Sequence, residues 1–310
     1  GKKWSFRAGG PIRTRPTAAG GTLYFQADDG YLYALAAASG QERWRVRVVE
    51  KPIERLPFDN PKSRYDRFGS DVAVAGGRLY LGTHDGRVLA LDPERGEKAW
   101  EFASGDSVLG APAVDAGRVF FGSFDGSVYA LDAASGKVMW KRDTRGAVVS
   151  TPAVAGDRLV VGNRSYDLLG LEAQTGEPAW TRYIWFSWVE SSPAVRDGVA
   201  YVGSSDAAAV YAVDVRTGER RWKTDVFGWA WGQPAVTDAR VYAGTASQKD
   251  YLAGHKGLVV AMDRATGRAV WHYAADPAPL GPYGFPGSPA VGEGMVFVTG
   301  LDGKVYAFGQ

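Results

Sequence analysis

Cysteine is absent from the chain, which excludes disulfides, thiolate nucleophiles and cysteine-ligated zinc while leaving the compartment open. Histidine is nearly absent: His84, His255 and His272 lie far apart without metal-ligand spacing, so packing or solvated roles are expected and no structural metal. No apolar run is long enough for a secretory leader or a membrane span, so a targeting segment ahead of Gly1-Lys2-Lys3-Trp4 was either removed or never present. A charge excess is missing too, because 36 basic against 34 acidic residues leave +2, no electrostatic footprint for nucleic acid. Helical periodicity is likewise lacking.

What the chain has is glycine, 41 residues of it, and 11 tryptophans, a composition suited to short strands and tight turns. Ala130-Leu131-Asp132, Gly136 and Trp140 form the clearest copy of a repeat. Its interval from alanine to tryptophan recurs from Ala34 to Trp44, Ala90 to Trp100, Ala212 to Trp222 and Ala261 to Trp271, and from Gly170 to Trp180. A glycine precedes each tryptophan at one fixed distance (Gly40, Gly96, Gly136, Gly176, Gly218, Gly267) and marks a tight turn. Upstream of each copy lies a short segment like Ser192-Pro193-Ala194-Val195, then an apolar strand like that at 199–203. Asp-Gly at 29–30, 85–86, 125–126 and 302–303 predicts hairpins beyond those strands.

Four-stranded units that cannot bury their own faces pack radially. The reading is therefore an all-β, seven-bladed β-propeller of four-stranded blades, one domain over 1–310. The blades run over about 8–48, 49–103, 104–143, 144–183, 184–226, 227–274 and 275–310 plus 1–7. The last unit stops before its tryptophan strand, and Lys3-Trp4-Ser5-Phe6 is expected to supply that strand and close the ring. Trp4, Trp44, Trp100, Trp140, Trp180, Trp222 and Trp271 are expected to fill the wedges between blades as structural residues.

The segments Ala-Leu-Asp-x-x-x-Gly-x-x-x-Trp at 130–140 and Ala-Met-Asp-x-x-x-Gly-x-x-x-Trp at 261–271 resemble the tryptophan-docking motif of the bacterial PQQ-type repeat propellers, quinoprotein-like and BamB-like. The resemblance covers essentially the whole chain and implies architecture before activity. Family dehydrogenases have eight blades, adjacent disulfide-bonded cysteines at the cofactor, and calcium held by acidic and amide side chains. This chain has no cysteine and no Asp-x-Asp-x-Asp-Gly loop, so neither PQQ nor any other cofactor is expected. BamB-like members, also eight-bladed, are non-catalytic and hold a protein partner. Other members form sensor domains of bacterial Ser/Thr kinases. By resemblance alone a periplasmic or extracytoplasmic location follows, and a monomer is expected.

Irregularity concentrates in the loops leading into the innermost strands. Those of the fifth to seventh blades carry rings at 183–190, 227–232 and 282–286, where the third and fourth blades have Val108-Leu109 and Val148-Val149. An additional stretch at 50–68 is rich in Pro, Arg and Asp, and 247–257 replaces a short hairpin. Trp188, Glu190, Trp229, Trp231, Tyr283 and Phe285, with Arg13, Arg15, Arg67 and Asp71 from the first two blades, are the candidates for one channel mouth. They would either plug the channel and pair among themselves, or receive a small aromatic or sugar-like ligand or a partner's peptide by stacking and bidentate hydrogen bonds. No nucleophile–base–orienter set is visible, so a non-catalytic binding or scaffold module is the leading reading. The alternatives are a quinone-dependent oxidoreductase, in which Glu190 with Asp71 or Arg67 would handle protons, and an extracytoplasmic sensor domain of a bacterial Ser/Thr kinase.

Overall fold

The computed structural model describes residues 2–56, 69–249, 254–278 and 281–310, which contain strands and no helix. The chain divides into two compact units, Gly1–Val149 and Ser150–Gln310. The first unit holds three four-stranded antiparallel meanders. One consists of Thr17–Ala19, Thr22–Gln26, Tyr31–Ala36 and Glu42–Arg47; the next two run from Ala73–Ala75 to Lys98–Ala103 and from Ala113–Asp115 to Val138–Asp143. The second unit holds three more, from Ala153–Ala155 to Pro178–Tyr183, Ala194–Arg196 to Arg220–Asp225, and Ala235–Val236 to Ala269–Ala274. It ends in a three-stranded sheet of Ala290–Gly292, Met295–Thr299 and Val305–Gly309, and adds a ribbon pairing Ala246–Gln248 with Pro282–Gly284.

The repeat's residue choices follow from this geometry. The two middle strands of each meander are covered on both faces, so Arg118–Gly122 and Ser127–Asp132 read as nearly continuous apolar runs, while the outer strand Val138–Asp143 alternates and turns Trp140 inward. Trp140 stands directly opposite Ala130, and a bulge follows at Leu131; the same pair and bulge recur for Trp44, Trp100, Trp180, Trp222 and Trp271. A small residue is required opposite the indole, hence alanine, or Gly170 opposite Trp180. The turn is set by Asp132, whose carboxylate accepts the Ser135 N–H and hydroxyl while its carbonyl accepts the Gly136 N–H at 2.8 Å.

Five of these tryptophans dock on the following meander within their own unit. Trp100 Nε1 donates to the Ala133 carbonyl at 3.0 Å, and its ring covers Gly136, where a Cβ would lie 2.7 Å from the indole and φ is +72°. Trp44 meets the Pro93 carbonyl and Gly96, Trp180 meets Val215 and Gly218, and Trp222 meets Arg264 and Gly267 in the same way. Trp271 packs instead on Phe308, ring centres 5.4 Å apart.

The opening residues behave differently from expectation in one respect. Residues 2–8 form no strand, and the last meander has three strands, so the expected fourth, closing strand is not formed. Side chains hold the segment down instead: Trp4 Nε1 donates to the Ala37 carbonyl at 3.0 Å with its ring on Gly40, and Phe6 packs edge-on against Phe25 and Tyr33. Trp4→Ala is therefore expected to cost about 1–3 kcal/mol. Thermal melting checks this, and an unchanged midpoint would show that the docking contributes nothing.

Innermost strands are tied to their neighbours by side-chain acceptors at one repeated position, just before the proline or its equivalent. The N–H of Arg15 donates to Asp71, that of Thr151 to Ser192 Oγ, and that of Gln233 to Ser288 Oγ. These ties fix the loops that carry the candidate site.

Candidate functional site

One backbone hydrogen bond recurs in five of the inner loops and sets a common register. The N–H groups of Val108, Val148, Val189, Ala230 and Phe285 donate to the carbonyls of Thr83, Ser123, Asn163, Ser204 and Thr245. Trp188 and Trp229 are thus equivalent to Ser107 and Ala147, and Glu190 and Trp231 to Leu109 and Val149. Large or charged groups occupy positions that are small or aliphatic elsewhere in the repeat.

In the second unit these residues form one connected sector. The Arg164 guanidinium lies over the Trp188 ring, 4.6 Å from its centre, and pairs with Glu190 at 2.6 Å. Both partners are largely buried, with side-chain exposures of 12% and 8%. The Trp188 carbonyl accepts the Ser205 N–H, and the Ser205 hydroxyl accepts Trp231 Nε1 at 3.3 Å. Trp231 stacks on Trp229 at 5.0 Å and 7°, Trp229 Nε1 donates to Asp206 at 3.1 Å, and His255 meets the Trp229 ring edge-on at 5.0 Å. The Tyr283 hydroxyl reaches the His255 carbonyl at 3.4 Å.

Trp188, Glu190, Trp229, Trp231 and Tyr283 are therefore brought together. Phe285 is not among them: it is fully buried against Tyr306 and Tyr273 and belongs to the core. In the first unit Arg15 pairs with Asp71 at 3.0 Å, and Arg13 pairs with Asp28 at 2.8 Å. Asp28 also takes Arg55, whose Nη2 lies 3.1 Å from His84 Nε2. Arg67 lies outside the described residues, as does most of the 50–68 stretch.

Glu190 takes Arg164 as its partner, a residue that sequence reasoning passed over. The turn position of Arg164 is also that of Asp28 and His84, so aligning the hairpin turns would have found it. Asn163, just before it, is wholly buried and its carboxamide oxygen accepts the N–H groups of Ser165 and Asp167, a turn-building role. Ser247 Oγ lies 2.9 Å from His255 Nδ1, but Ser247 is fully buried and unreachable as a nucleophile.

Burial pushes the His255 imidazole below its ordinary 6.5, against a smaller opposite pull from Asp206. As pH falls the unfolded chain takes the proton first, so the stability carried by neutral His255 is present above about pH 6.5 and lost below it. His255→Gln is expected to flatten the fall in melting temperature between about pH 7 and 5. Equal slopes in both proteins would contradict this.

Four-stranded meanders, joined within each unit by a tryptophan docked on the next, define a repeat β-propeller. The chain belongs to the PQQ-type repeat family described as outer membrane protein assembly factor BamB, whose model matches residues 1–58, 28–184 and 183–309. The crystal structure of BamB from Moraxella catarrhalis shares the fold, with a TM-score of 0.74 over 99% of this chain and 88% of that one at 19% identity. The quinohemoprotein alcohol dehydrogenase of Comamonas testosteroni is 35% identical over 113 residues, 36% of this chain and 16% of that protein. Serine/threonine-protein kinase AfsK of Streptomyces griseus is 32% identical over 128 residues, 39% and 14% of the two chains. The matched part is a small fraction of either relative's length.

Proposed function

We propose that the chain is a non-catalytic binding or scaffold propeller working outside the cytoplasm, and that the Arg164–Trp231 sector of its second unit holds a partner protein or a planar ligand. The observation that carries this reading is the interlocking of the sector's side chains. A buried ion pair under an indole adjoins a stacked indole pair whose N–H groups are both held by neighbours, so little ordering remains to be done on binding. Membership in a family named for an assembly factor is consistent with a protein as the partner.

A quinone centre fits this donor set poorly. The cysteine pair implied by the family resemblance has no counterpart, and among the described residues no three His, Asp or Glu side chains converge as metal ligands. A sensor domain is a second reading, favoured by the similarity to AfsK; gene sequence beyond both ends that encodes no kinase would remove it.

The test of the main reading is mass spectrometry of material co-purifying with the wild-type chain and with Trp231→Ala. A protein or ligand retained by the first and lost by the second supports it. Identical retention by both overturns it.

A further inference from the structure

A second aromatic cluster is exposed to solvent at the strand end and loop of 183–186 and at the hairpin turn of Tyr166. Tyr183, Trp185 and Phe186 are 53%, 73% and 59% exposed, an unusual display for three large rings in four residues. Their planes are nearly perpendicular: Trp185 meets Phe186 at 4.8 Å and 89°, Tyr183 meets Trp185 at 6.3 Å and 90°, and Tyr166 meets Tyr183 at 6.1 Å and 86°.

The turn and loop backbone place them at the surface. Tyr166 occupies the hairpin position held by Gly30, Gly86 and Gly126, and adopts the same left-handed conformation at φ +71°. Phe186 also has positive φ, at +43°, within a loop one residue longer than those at 104–108, 144–148 and 226–230. The sister loops carry the same left-handed conformation at Arg145 (φ +65°) and Phe227 (φ +55°), so this loop shape belongs to the repeat, and what is particular here is that it carries large rings that gain little burial.

The chemistry of the cluster selects its occupant. The Trp185 N–H and the Tyr166 and Tyr183 hydroxyls have no hydrogen-bond partner among the described residues, so the exposed ring faces are edged by donors. The adjacent cations are engaged, Arg182 with the Gly218 carbonyl at 2.7 Å and Arg164 with Glu190, which disfavours an anionic membrane. A polyproline II segment is complementary: flat pyrrolidine rings for the exposed aromatic faces, outward carbonyl acceptors for the three donors, no prolyl N–H, and little conformational entropy left to lose.

We propose that Tyr166, Tyr183, Trp185 and Phe186 form a docking surface for a proline-rich segment of a partner protein. The test is fluorescence anisotropy with a labelled decaproline peptide, a Gly-Ser peptide of equal length, and vesicles of phosphatidylcholine with phosphatidylglycerol. Saturable binding of decaproline is expected, weakened about tenfold in Trp185→Ala. Tyr166→Gly is expected to weaken binding while its melting temperature holds or rises, which separates loss of the surface from loss of the fold. Trp231→Ala is expected to bind decaproline as the wild type does, so this surface and the inner sector stand or fall separately. Absence of saturable binding, equal binding of the Gly-Ser peptide, undiminished binding by Trp185→Ala, or Trp185-dependent attachment to vesicles in place of peptide would each overturn the proposal.

Discussion

Trp100→Ala is expected to lower stability by about 3–5 kcal/mol, among the largest effects of any single side chain here. The indole is 8% exposed and links two meanders at once, packing on Tyr80 within its own and covering Gly136 of the next, with its N–H on the Ala133 carbonyl. Removing it leaves a cavity on both sides and takes from the Ala133 carbonyl one of its two donors, the Tyr80 hydroxyl at 3.2 Å remaining. Gly136→Val attacks the same joint from the other side, since its Cβ would strike the ring and its φ of +72° disfavours any branched residue. Urea midpoints with an unchanged slope would register both losses as native-state effects. Trp100→Ala combined with Gly136→Val should cost less than the sum, because the valine then faces the vacated space. Strict additivity, or a Trp100 effect of under about 1 kcal/mol, would show that the docking joint is not what holds neighbouring meanders together.

The motif from which that joint is built was legible in the sequence because its parts are local. Asp132, Gly136 and Trp140 are linked by one turn and one strand pair, so covalent spacing alone reveals them. The opening segment was legible only by half. Trp4 docks on Gly40 as the repeat requires, but strand pairing depends on backbone geometry that residue types in 2–8 do not encode. The inner sector was legible as a set of unusual residues without their partners. Trp188 and Glu190 stand out against Ala147 and Val149, whereas their contact with Arg164 spans a hairpin turn and the next loop, a distance that spacing cannot report. Tyr166 escaped for a related reason: its oddity is a φ value, and the sequence shows only a tyrosine where sister turns have glycine.

Arg164→Ala is expected to cost about 3–5 kcal/mol, because it strips the guanidinium from a carboxylate that is 8% exposed. The deficit measures what the buried carboxylate loses with its guanidinium. Replacing both charges, Arg164→Met with Glu190→Leu, avoids the buried charge and should recover most of the loss. The pair would then be dispensable for folding, and its retention would have to rest on what the sector binds. Denaturation of the two variants measures the first part; the co-purification assay on the double variant measures the second. A double variant that is as unstable as Arg164→Ala would make the pair a packing element. One that folds like wild type but retains no partner would make the Arg164–Glu190 pair, with Trp188 beneath the guanidinium, the part of the sector that recognises its ligand.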